Sequence, residues 1–296
     1  MDGVLVIDKP EGPTSFDVVR TVRRALKTSK VGHTGTLDPM ATGVLPVCLG
    51  DATRIAQYLT EGDKTYEALV RLGAATDTQD RTGRIIAEGD PSRVTPGELE
   101  AALDRFRGEI TQVPPMYSAV KIDGKRLYEL ARAGKEVERS ARKVTIYEAK
   151  LLALELPAFR LRVHCSKGTF IRTLAHDLGE LLGCHAHLGD LRRVGSGPFR
   201  IEQAVPLSAI EQLPEEQVRA RLVGPRAALS ALPELVLDAR AAKRLVNGQR
   251  PGAAEVAGLS RVPEGAPLRI VDEAGTLIAI GERAGGLLRS LRVLSR

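Results

Sequence analysis

One stretch of the sequence combines residues that could do chemistry with residues that prevent regular structure. It spans residues 32–43 and reads GHTGTLDPMATG. Its glycines and its proline interrupt a helix, and the period-two alternation of a strand does not run through it. Backbone N–H groups and threonine hydroxyls surround a single acid, Asp38. The segment predicts a loop that holds one carboxylate in place, where it could transfer a proton or form a covalent bond.

Asp38 also has a purely structural interpretation, because aspartate is a common turn former and helix cap. Motifs for other chemistries are incomplete. The sequence has no Walker A or GxSxG motif, and residues 195–197 lack the third glycine of a dinucleotide fingerprint. Cys184, His185 and His187 have no matching second pair of zinc ligands. We therefore expect neither a cofactor nor a metal.

Composition favours a protein that binds a polyanion such as nucleic acid. The chain has 296 residues, a formal net charge of +6 and a pI of about 9.3. Its three cysteines form no CxxC pair, which favours a reducing compartment. A signal peptide and a membrane-spanning apolar run are not expected, so we predict a cytoplasmic location.

Hydrophobic periodicity predicts the elements that must position the loop. A helix is expected to begin with Ser15 as its N-cap and to bury Phe16, Val19, Val22 and Leu26. Another should begin at the capping box that opens with Thr95. Strand patterns recur at residues 4–7, 44–49, 64–72, 85–87, 144–156, 159–165 and 186–194. This order predicts an α+β fold, with a mixed, mostly antiparallel sheet and flanking helices.

Two further regions differ in character from this core. Residues 113–143, here called the basic segment, carry eight Lys or Arg and four Asp or Glu, which is +4 of the chain's +6. Such a segment suits a mobile thumb that closes on a phosphate backbone, although a solvated charged hairpin fits the charge equally well. After Pro233, strand patterns surround a helix at residues 239–246 and predict a small β-rich module.

Several motifs together resemble one family. They are residues 4–10 with the TSFDVV run, residues 32–43, 50–53, 64–66, 114–119 and 167–178, and the HLGDLRR run at 187–193. In order and spacing these segments, over residues 3–200, are similar to the TruB family, the tRNA pseudouridine-55 synthases. The resemblance implies the pseudouridine synthase fold and isomerisation of one uridine in the T-loop of tRNA.

The resemblance also implies roles for individual residues. Asp38 would be the essential catalytic acid, and Arg172 would pair with it and keep it ionised. Tyr66 would stack on the target base near the proton at C5. The target uridine is stacked inside the tRNA elbow, so the enzyme would have to flip it out.

Five more positions would surround these three. His33 would fill the space left by the flipped nucleotide, and Leu191 would line the base pocket. Phe170 stands where the family commonly has tyrosine, so it keeps stacking but loses a hydroxyl. Lys9 and Pro10 would support the loop.

The implied domain organisation has a catalytic domain at residues 1–232, with the basic segment at 113–143 as an insertion. Residues 233–296 resemble a PUA-like RNA-binding domain that would grip the acceptor side of tRNA. The expected partner is tRNA, contacted at its T-arm stem-loop and elbow. We expect a monomer that uses no small-molecule cofactor and does not associate with a membrane.

Two other functions remain open at this point. The chain could be an RNA-binding or tRNA-folding module whose catalytic site is dispensable. Alternatively, it could be a hydrolase of the glycosidase type, which needs a second acid near Asp38. Asp77 and Asp80 are the candidates for that acid.

Overall fold

In the described residues, the strands form a large sheet, a four-stranded sheet and two separate two-stranded sheets. The structure is a computed structural model, and it describes residues 2–122, 124–135 and 137–294. The strands of the larger part of the chain are β1 (Gly3–Lys9), β2 (Val31–His33), β3 (Thr42–Leu49), β4 (Lys64–Leu72), β5 (Ala74–Thr76), β6 (Ile85–Glu88), β7 (Gly108–Gln112), β8 (Lys121–Ile122), β9 (Lys125–Arg126), β10 (Arg142–Glu155), β11 (Ala158–Cys165), β12 (Ala186–Ser196), β13 (Phe199–Arg200) and β14 (Val205–Pro206).

The large sheet confirms the expected mixed, mostly antiparallel topology. Its strand order is β14-β1-β3-β12-β4-β11-β10-β7, with β2 paired to β3 and β13 paired to β12. The β1–β14 and β3–β12 pairs are parallel, whereas the other pairs in this sheet are antiparallel. The parallel β3–β12 pair brings the end of the predicted loop next to Arg193.

Helices pack on both faces of this sheet. They are α1 (Ser15–Ala25), α2 (Ala56–Thr60), α3 (Pro96–Asp104), α4 (Leu127–Arg132), α5 (Ile171–Leu181), α6 (Leu207–Ile210), α7 (Glu215–Arg219) and α8 (Pro225–Ala228). Apolar residues of α1, α3 and α5 pack with those of β1, β3, β4, β11 and β12 in one buried cluster. Burial of this continuous apolar surface is the main stabilising contribution to the layer.

Helix α1 begins one residue earlier than predicted. Its N-cap is Thr14, which forms a capping box with Asp17, and Ser15 is the first helical residue. The predicted buried position of Phe16 is wrong, because this side chain is 59% exposed while Val18 is buried. The buried stripe of α1 consists of Ser15, Val18, Val19 and Val22, at spacing i, i+3, i+4 and i+7, and Phe16 lies off this stripe.

The segment predicted as a loop begins and ends in strands. His33 closes β2 and pairs with Val47 of β3, and Gly43 belongs to β3. The prediction that the whole of residues 32–43 is irregular is therefore wrong at both ends. Gly43 has a φ of 101°, which lets the strand begin in a conformation that other residues rarely adopt.

A second sheet follows near the C-terminal end. It contains β15 (Glu234–Leu237), β16 (Pro267–Asp272), β17 (Leu277–Ala284) and β18 (Leu287–Val293), and it packs against α9 (Ala239–Val246). Val271, Leu277 and Ile280 of this sheet contact a buried cluster that includes Val4 and Val44. The two sheets therefore share apolar contacts.

The basic segment contains the β8–β9 hairpin and α4. Two of the acids counted in its charge, Asp123 and Glu136, lie outside the described residues. In the part of the chain that the structure describes, no helix has the length and apolar character needed to cross a membrane.

Candidate active site

Lys9 anchors the 32–43 loop from beneath. It is the last residue of β1 and is 0% exposed. Its ammonium donates hydrogen bonds to the carbonyl oxygens of Pro10, Pro39 and Ala41, at 2.9, 3.1 and 2.7 Å. One buried cation therefore holds two points of the loop and the chain segment that follows β1.

Burial lowers the pKa of Lys9 to about 8, although the negative charges of Asp38 and Glu11 oppose the shift. An ammonium in an apolar interior is expensive unless its donors are satisfied, and here the carbonyl oxygens satisfy them. Lys9 is positioned to support the loop, and its three hydrogen bonds leave its ammonium little freedom to move.

Ser15 provides a second anchor. Its hydroxyl accepts a hydrogen bond from the Leu37 N–H at 2.8 Å and donates to the Leu37 carbonyl at 3.1 Å. The Gly12 N–H donates to the Pro39 carbonyl at 2.9 Å. The residue expected to cap α1 thus fixes the position next to Asp38. Local periodicity contained no signal for this contact.

Arg172 connects the loop to the other side of the site. Its Nε lies 3.1 Å from Oδ2 of Asp38, and its Nη1 lies 3.5 Å from Oδ2 of Asp80. Nη1 also donates to the Thr78 carbonyl at 3.1 Å, and Nη2 donates to the Tyr117 carbonyl at 2.8 Å. The guanidinium is buried, so these partners leave it little freedom to rotate.

Asp38 is enclosed by protein but not sealed. Its side chain keeps 37% of its surface open to solvent, whereas Arg172 behind it is buried. Burial raises the pKa of Asp38, and the negative charge of Asp80 adds to this, while Arg172 and Lys9 pull the pKa down. The arrangement presents one oriented carboxyl to whatever enters the cleft.

Asp80 is held by its own hydrogen bonds and pairs with Arg172. Its Oδ1 accepts hydrogen bonds from the Thr82 N–H at 2.9 Å and the Thr82 hydroxyl at 2.5 Å, and its Oδ2 faces Arg172. Asp77 pairs instead with Arg84 at the surface. Neither acid offers a free second carboxyl beside Asp38, so the geometry does not favour the glycosidase hypothesis.

Helix α5 holds Arg172 in its first turn. The N-cap of α5 is Phe170, whose backbone pairs with the buried side chain of Gln112 at the end of β7. The Phe170 N–H donates to Oε1 of Gln112 at 3.0 Å, and Nε2 of Gln112 donates to the Phe170 carbonyl at 3.2 Å. Phe170 itself is half-buried at the N-terminus of this helix.

Tyr66 and Leu191 lie on neighbouring strands and face the helix-covered side. In the β4–β12 register Tyr66 is opposite Arg193, and Leu191 is opposite Ala68. Both side chains belong to the same buried cluster. Burial raises the pKa of Tyr66, against the positive charge of Arg193, so its phenol is protonated at neutral pH. The pair forms an apolar floor beside the carboxyl.

Arg193 is a functional candidate that the sequence reasoning missed. It is 1% exposed, and it donates to the carbonyl oxygens of Val44 at 2.7 Å and Gly35 at 3.2 Å. A Cβ on Gly43 would lie 2.2 Å from the Arg193 carbonyl, so only glycine fits there. The available signal was the adjacent Arg192–Arg193 pair, because consecutive strand residues point to opposite faces.

His33 lies at the edge of this arrangement and outside the Arg172 contacts. Burial and the charge of Arg193 lower its pKa, so the imidazole is neutral at neutral pH. Its Nδ1 is buried and has no hydrogen-bond partner within the described part of the chain. A neutral, half-buried ring suits packing against an apolar or stacked group better than it suits charge pairing.

The structure thus brings Asp38, Arg172, Lys9 and Tyr66 close together, with Leu191 beside them. An open cavity of about 240 Å³ lies next to the loop, and Met40 and Leu191 are among its lining residues. Clusters of three or more His, Cys, Asp or Glu that could hold a metal ion do not occur within residues 2–122, 124–135 and 137–294.

Family profiles and curated relatives match most of this chain. The profile described as TruB family pseudouridylate synthase (N terminal domain) matches residues 23–171. The profile described as tRNA pseudouridylate synthase B C-terminal domain matches residues 172–238. A tRNA pseudouridine synthase B of Burkholderia mallei (strain NCTC 10247) is 47% identical over 294 residues, which is 99% of this chain and 97% of that protein. The enzyme of the same name from Aromatoleum aromaticum is 54% identical over 264 residues, covering 88% and 85%.

Solved structures agree with the sequence comparison. A chain of the crystal structure of a Cbf5-Nop10-Gar1 complex has a TM-score of 0.78 and 29% identity, covering 99% of this chain and 84% of that one. A chain of the H/ACA RNP bound to a substrate RNA containing 2'-deoxyuridine has a TM-score of 0.77 and 27% identity, covering 99% and 85%.

The fold and the matched family profiles define a pseudouridine synthase. The chain belongs to the TruB family of pseudouridylate synthases. It is an isomerase that converts uridine in tRNA to pseudouridine.

Proposed function

We propose that the uridine isomerised by this chain is the one at position 55 in the T-loop of tRNA, with Asp38 as the catalytic carboxylate. The observation that carries the proposal is the 3.1 Å ion pair between Asp38 and Arg172 in a loop anchored at several points. A partly open carboxyl that is held in one orientation can act on a bound base without first being ordered.

The reaction breaks the N1–C1′ glycosidic bond, turns the base and forms a C5–C1′ bond. C5 loses its proton and N1 gains one, so atoms balance without a redox partner. Asp38 acts in its ionised form, either by adding to the base or sugar or by taking a proton. Arg172 keeps that form oriented, and its remaining contacts prevent the guanidinium from moving away with the carboxylate.

The neighbouring residues bind and position the base. Tyr66 lies under the flipped uracil and near its C5, and Leu191 closes the pocket on the same floor. Phe170 adds an apolar edge at the N-terminus of α5. His33 occupies the position that the extruded nucleotide leaves in the RNA, for which its neutral, half-buried ring is suited.

Flipping a stacked base costs roughly a few kcal/mol, and contacts with the phosphate backbone would offset part of this cost. We assign those contacts to the basic segment. Its first residues connect to the site, because the Tyr117 carbonyl accepts a hydrogen bond from Arg172. The segment would close over the T-arm once RNA is bound.

We further propose a catalytic domain at residues 1–232 and a PUA-like domain at residues 233–296 that contacts the acceptor side of tRNA. The start of the second sheet at Glu234 and the exposed Arg240 and Lys243 of α9 support this division. Because Asp38, Arg172, Tyr66 and Leu191 come from one chain, we propose that it acts as a monomer, in the cytoplasm where tRNA is found.

The choice of uridine is tested with purified enzyme and unmodified RNA. A T-arm stem-loop should be modified at position 55, and an anticodon stem-loop of equal length should not be modified. Pseudouridine is located by carbodiimide labelling and primer extension. An unmodified T-arm stem-loop, together with modification elsewhere in full tRNA, would contradict the assignment. An enzyme that binds tRNA tightly but modifies no uridine would instead favour a tRNA-folding module.

A further inference from the structure

The turn that carries Asp80 also carries Arg81, whose side chain pairs with two acids other than Asp38 and Asp80. Its Nη1 lies 2.7 Å from Oδ1 of Asp190 on β12, and its Nη2 contacts Oε1 of Glu11. We call these three residues the Arg81 clasp. Arg81 is 34% exposed, and its two acidic partners are more exposed than it is. The clasp is therefore a surface feature that substitution can change without creating a cavity in the core.

One end of the clasp lies on the turn at residues 77–84, which also pairs with β12 through its own backbone. The Arg81 N–H donates to the Leu188 carbonyl at 2.9 Å, and the Leu188 N–H donates to the Gln79 carbonyl at 3.0 Å. Asp80, between Gln79 and Arg81, faces inwards to Arg172. Adjacent residues of one turn thus contact the catalytic pair on one side and the clasp on the other.

The other end of the clasp holds the segment that supports the Asp38 loop. Glu11 lies between Pro10, whose carbonyl accepts from Lys9, and Gly12, whose N–H donates to Pro39. Pro39 directly follows Asp38. The Glu11 segment is therefore connected to the residue next to Asp38 through contacts that do not involve Arg172.

We propose that Arg81 is a positioning residue, which sets the distance between the Asp38 carboxylate and the Arg172 guanidinium by tying together the two segments that support them. The inference rests on the proposed roles of Asp38 and Arg172. It goes beyond them because Arg81 contacts neither of these residues, nor any group assigned to the substrate.

Exposed ion pairs contribute little to the free energy of unfolding, so loss of the clasp should leave the protein folded. Catalysis is more sensitive to geometry than stability is, because a displacement of about 1 Å can cost about a hundredfold in rate. The clasp should therefore change the rate of the chemical step much more than it changes the melting temperature.

The test is the single-turnover rate on a T-arm stem-loop, measured with the full chain in saturating excess so that RNA affinity does not enter. Arg81→Ala should slow this rate about tenfold, in the range that a sub-ångström displacement allows. Arg84→Ala is the matched control, since Arg84 lies in the same turn, is 92% exposed and pairs with Asp77. The control should change the rate less than about twofold.

Charge reversal separates positioning from a phosphate contact. Arg81→Glu alone should be slower than Arg81→Ala, because it places a negative charge beside Glu11 and Asp190. Adding Glu11→Arg should restore part of the rate, since the clasp is rebuilt with opposite signs.

Two results would overturn the inference. One is a normal saturated rate for Arg81→Ala while Asp38→Asn is inactive. The other is a loss in Arg81→Glu that Glu11→Arg does not relieve, as expected if Arg81 binds an RNA phosphate. Activity of Asp38→Asn would instead contradict the proposed function, so the two failures are distinguishable.

Discussion

At the scale of single residues, Asp38 is subject to opposing electrostatic influences. Burial and Asp80 disfavour its charged form, and Arg172 and Lys9 favour it. Because the net direction is upwards, the carboxyl binds a proton at a higher pH than an exposed aspartate does. If the ionised form is the active one, activity should fall on the acidic side at a higher pH than the pKa of an exposed aspartate would give.

Replacing Arg172 by glutamine removes the nearest positive charge and should raise the pKa of Asp38 further. The acid limb of the single-turnover rate should then move to higher pH than in the wild type, in addition to a lower maximum rate. The measurement is the pH profile of the saturated step on a T-arm stem-loop. An acid limb at the same pH in both enzymes would show that Asp38 does not govern it.

Lys9 should affect how the free energy of unfolding depends on pH. Its pKa is lowered to about 8 in the folded protein, so between about pH 8 and 10.5 the unfolded chain binds more protons than the folded one. Its contribution to the free energy of unfolding should rise with pH across that window, by up to about 1.4 kcal/mol per pH unit. The free energy of unfolding, measured by urea denaturation, should therefore change differently with pH in the wild type and in Lys9→Met between about pH 8 and 10.5. Parallel pH dependences would exclude this effect.

At the scale of elements, the sequence predicted those whose signals are local. Thr95 opens α3 through the expected capping box, and α9 spans the predicted residues 239–246. Tyr66, Ala68, Val70 and Leu72 are buried on one face of β4, as their alternation indicated. Each of these signals depends on residues within a few positions of one another.

Features that depend on distant contacts were not predictable in the same way. Asp80 meets Arg172 across 92 positions of sequence, and Ser15 meets Leu37 rather than capping α1. The buried Arg193 is another example, because its partners, the carbonyl oxygens of Val44 and Gly35, lie 149 and 158 positions away in the sequence. The resemblance to a family supplied Asp38 and Arg172, whereas the contacts that hold them required the fold.

The basic segment gives the prediction that belongs to this scale. In the free enzyme, amide hydrogens of residues 113–143 should exchange quickly compared with those of β4 and β12, because most of the segment packs on little apolar surface. Binding a T-arm stem-loop should slow the exchange. Hydrogen-exchange mass spectrometry measures both states. Equal, strong protection of the segment in free and bound enzyme would argue against a closing thumb.

At the scale of the whole molecule, the two sheets share apolar contacts. Val271 and Leu277 pack in the cluster that contains Val4 of β1, and Nη1 of Arg54 donates to the Val293 carbonyl at 3.2 Å. Deleting residues 233–296 would expose this apolar surface, so a loss of tRNA binding could not be distinguished from a loss of folding. Surface substitutions therefore test the second module better.

The double variant Arg240→Glu with Lys243→Glu reverses two exposed charges on α9. It should weaken binding of full-length tRNA, measured by filter binding at fixed salt, and spare single-turnover activity on a T-arm stem-loop. The control is Arg93→Glu with Arg105→Glu, two exposed positions beside α3. Equal weakening by both variants would mean that net charge, rather than the α9 surface, determines binding.

The most direct test of the account is Asp38→Asn, which keeps the size of the side chain and removes its charge. We expect no detectable pseudouridine in a T-arm stem-loop, and tRNA binding within about tenfold of the wild type, or ~1.4 kcal/mol. Asp77→Asn is the matched control and should remain active, since Asp77 pairs with Arg84 away from the loop. Pseudouridine formation by Asp38→Asn at a near-normal rate would contradict the central claim that this carboxylate performs the chemistry.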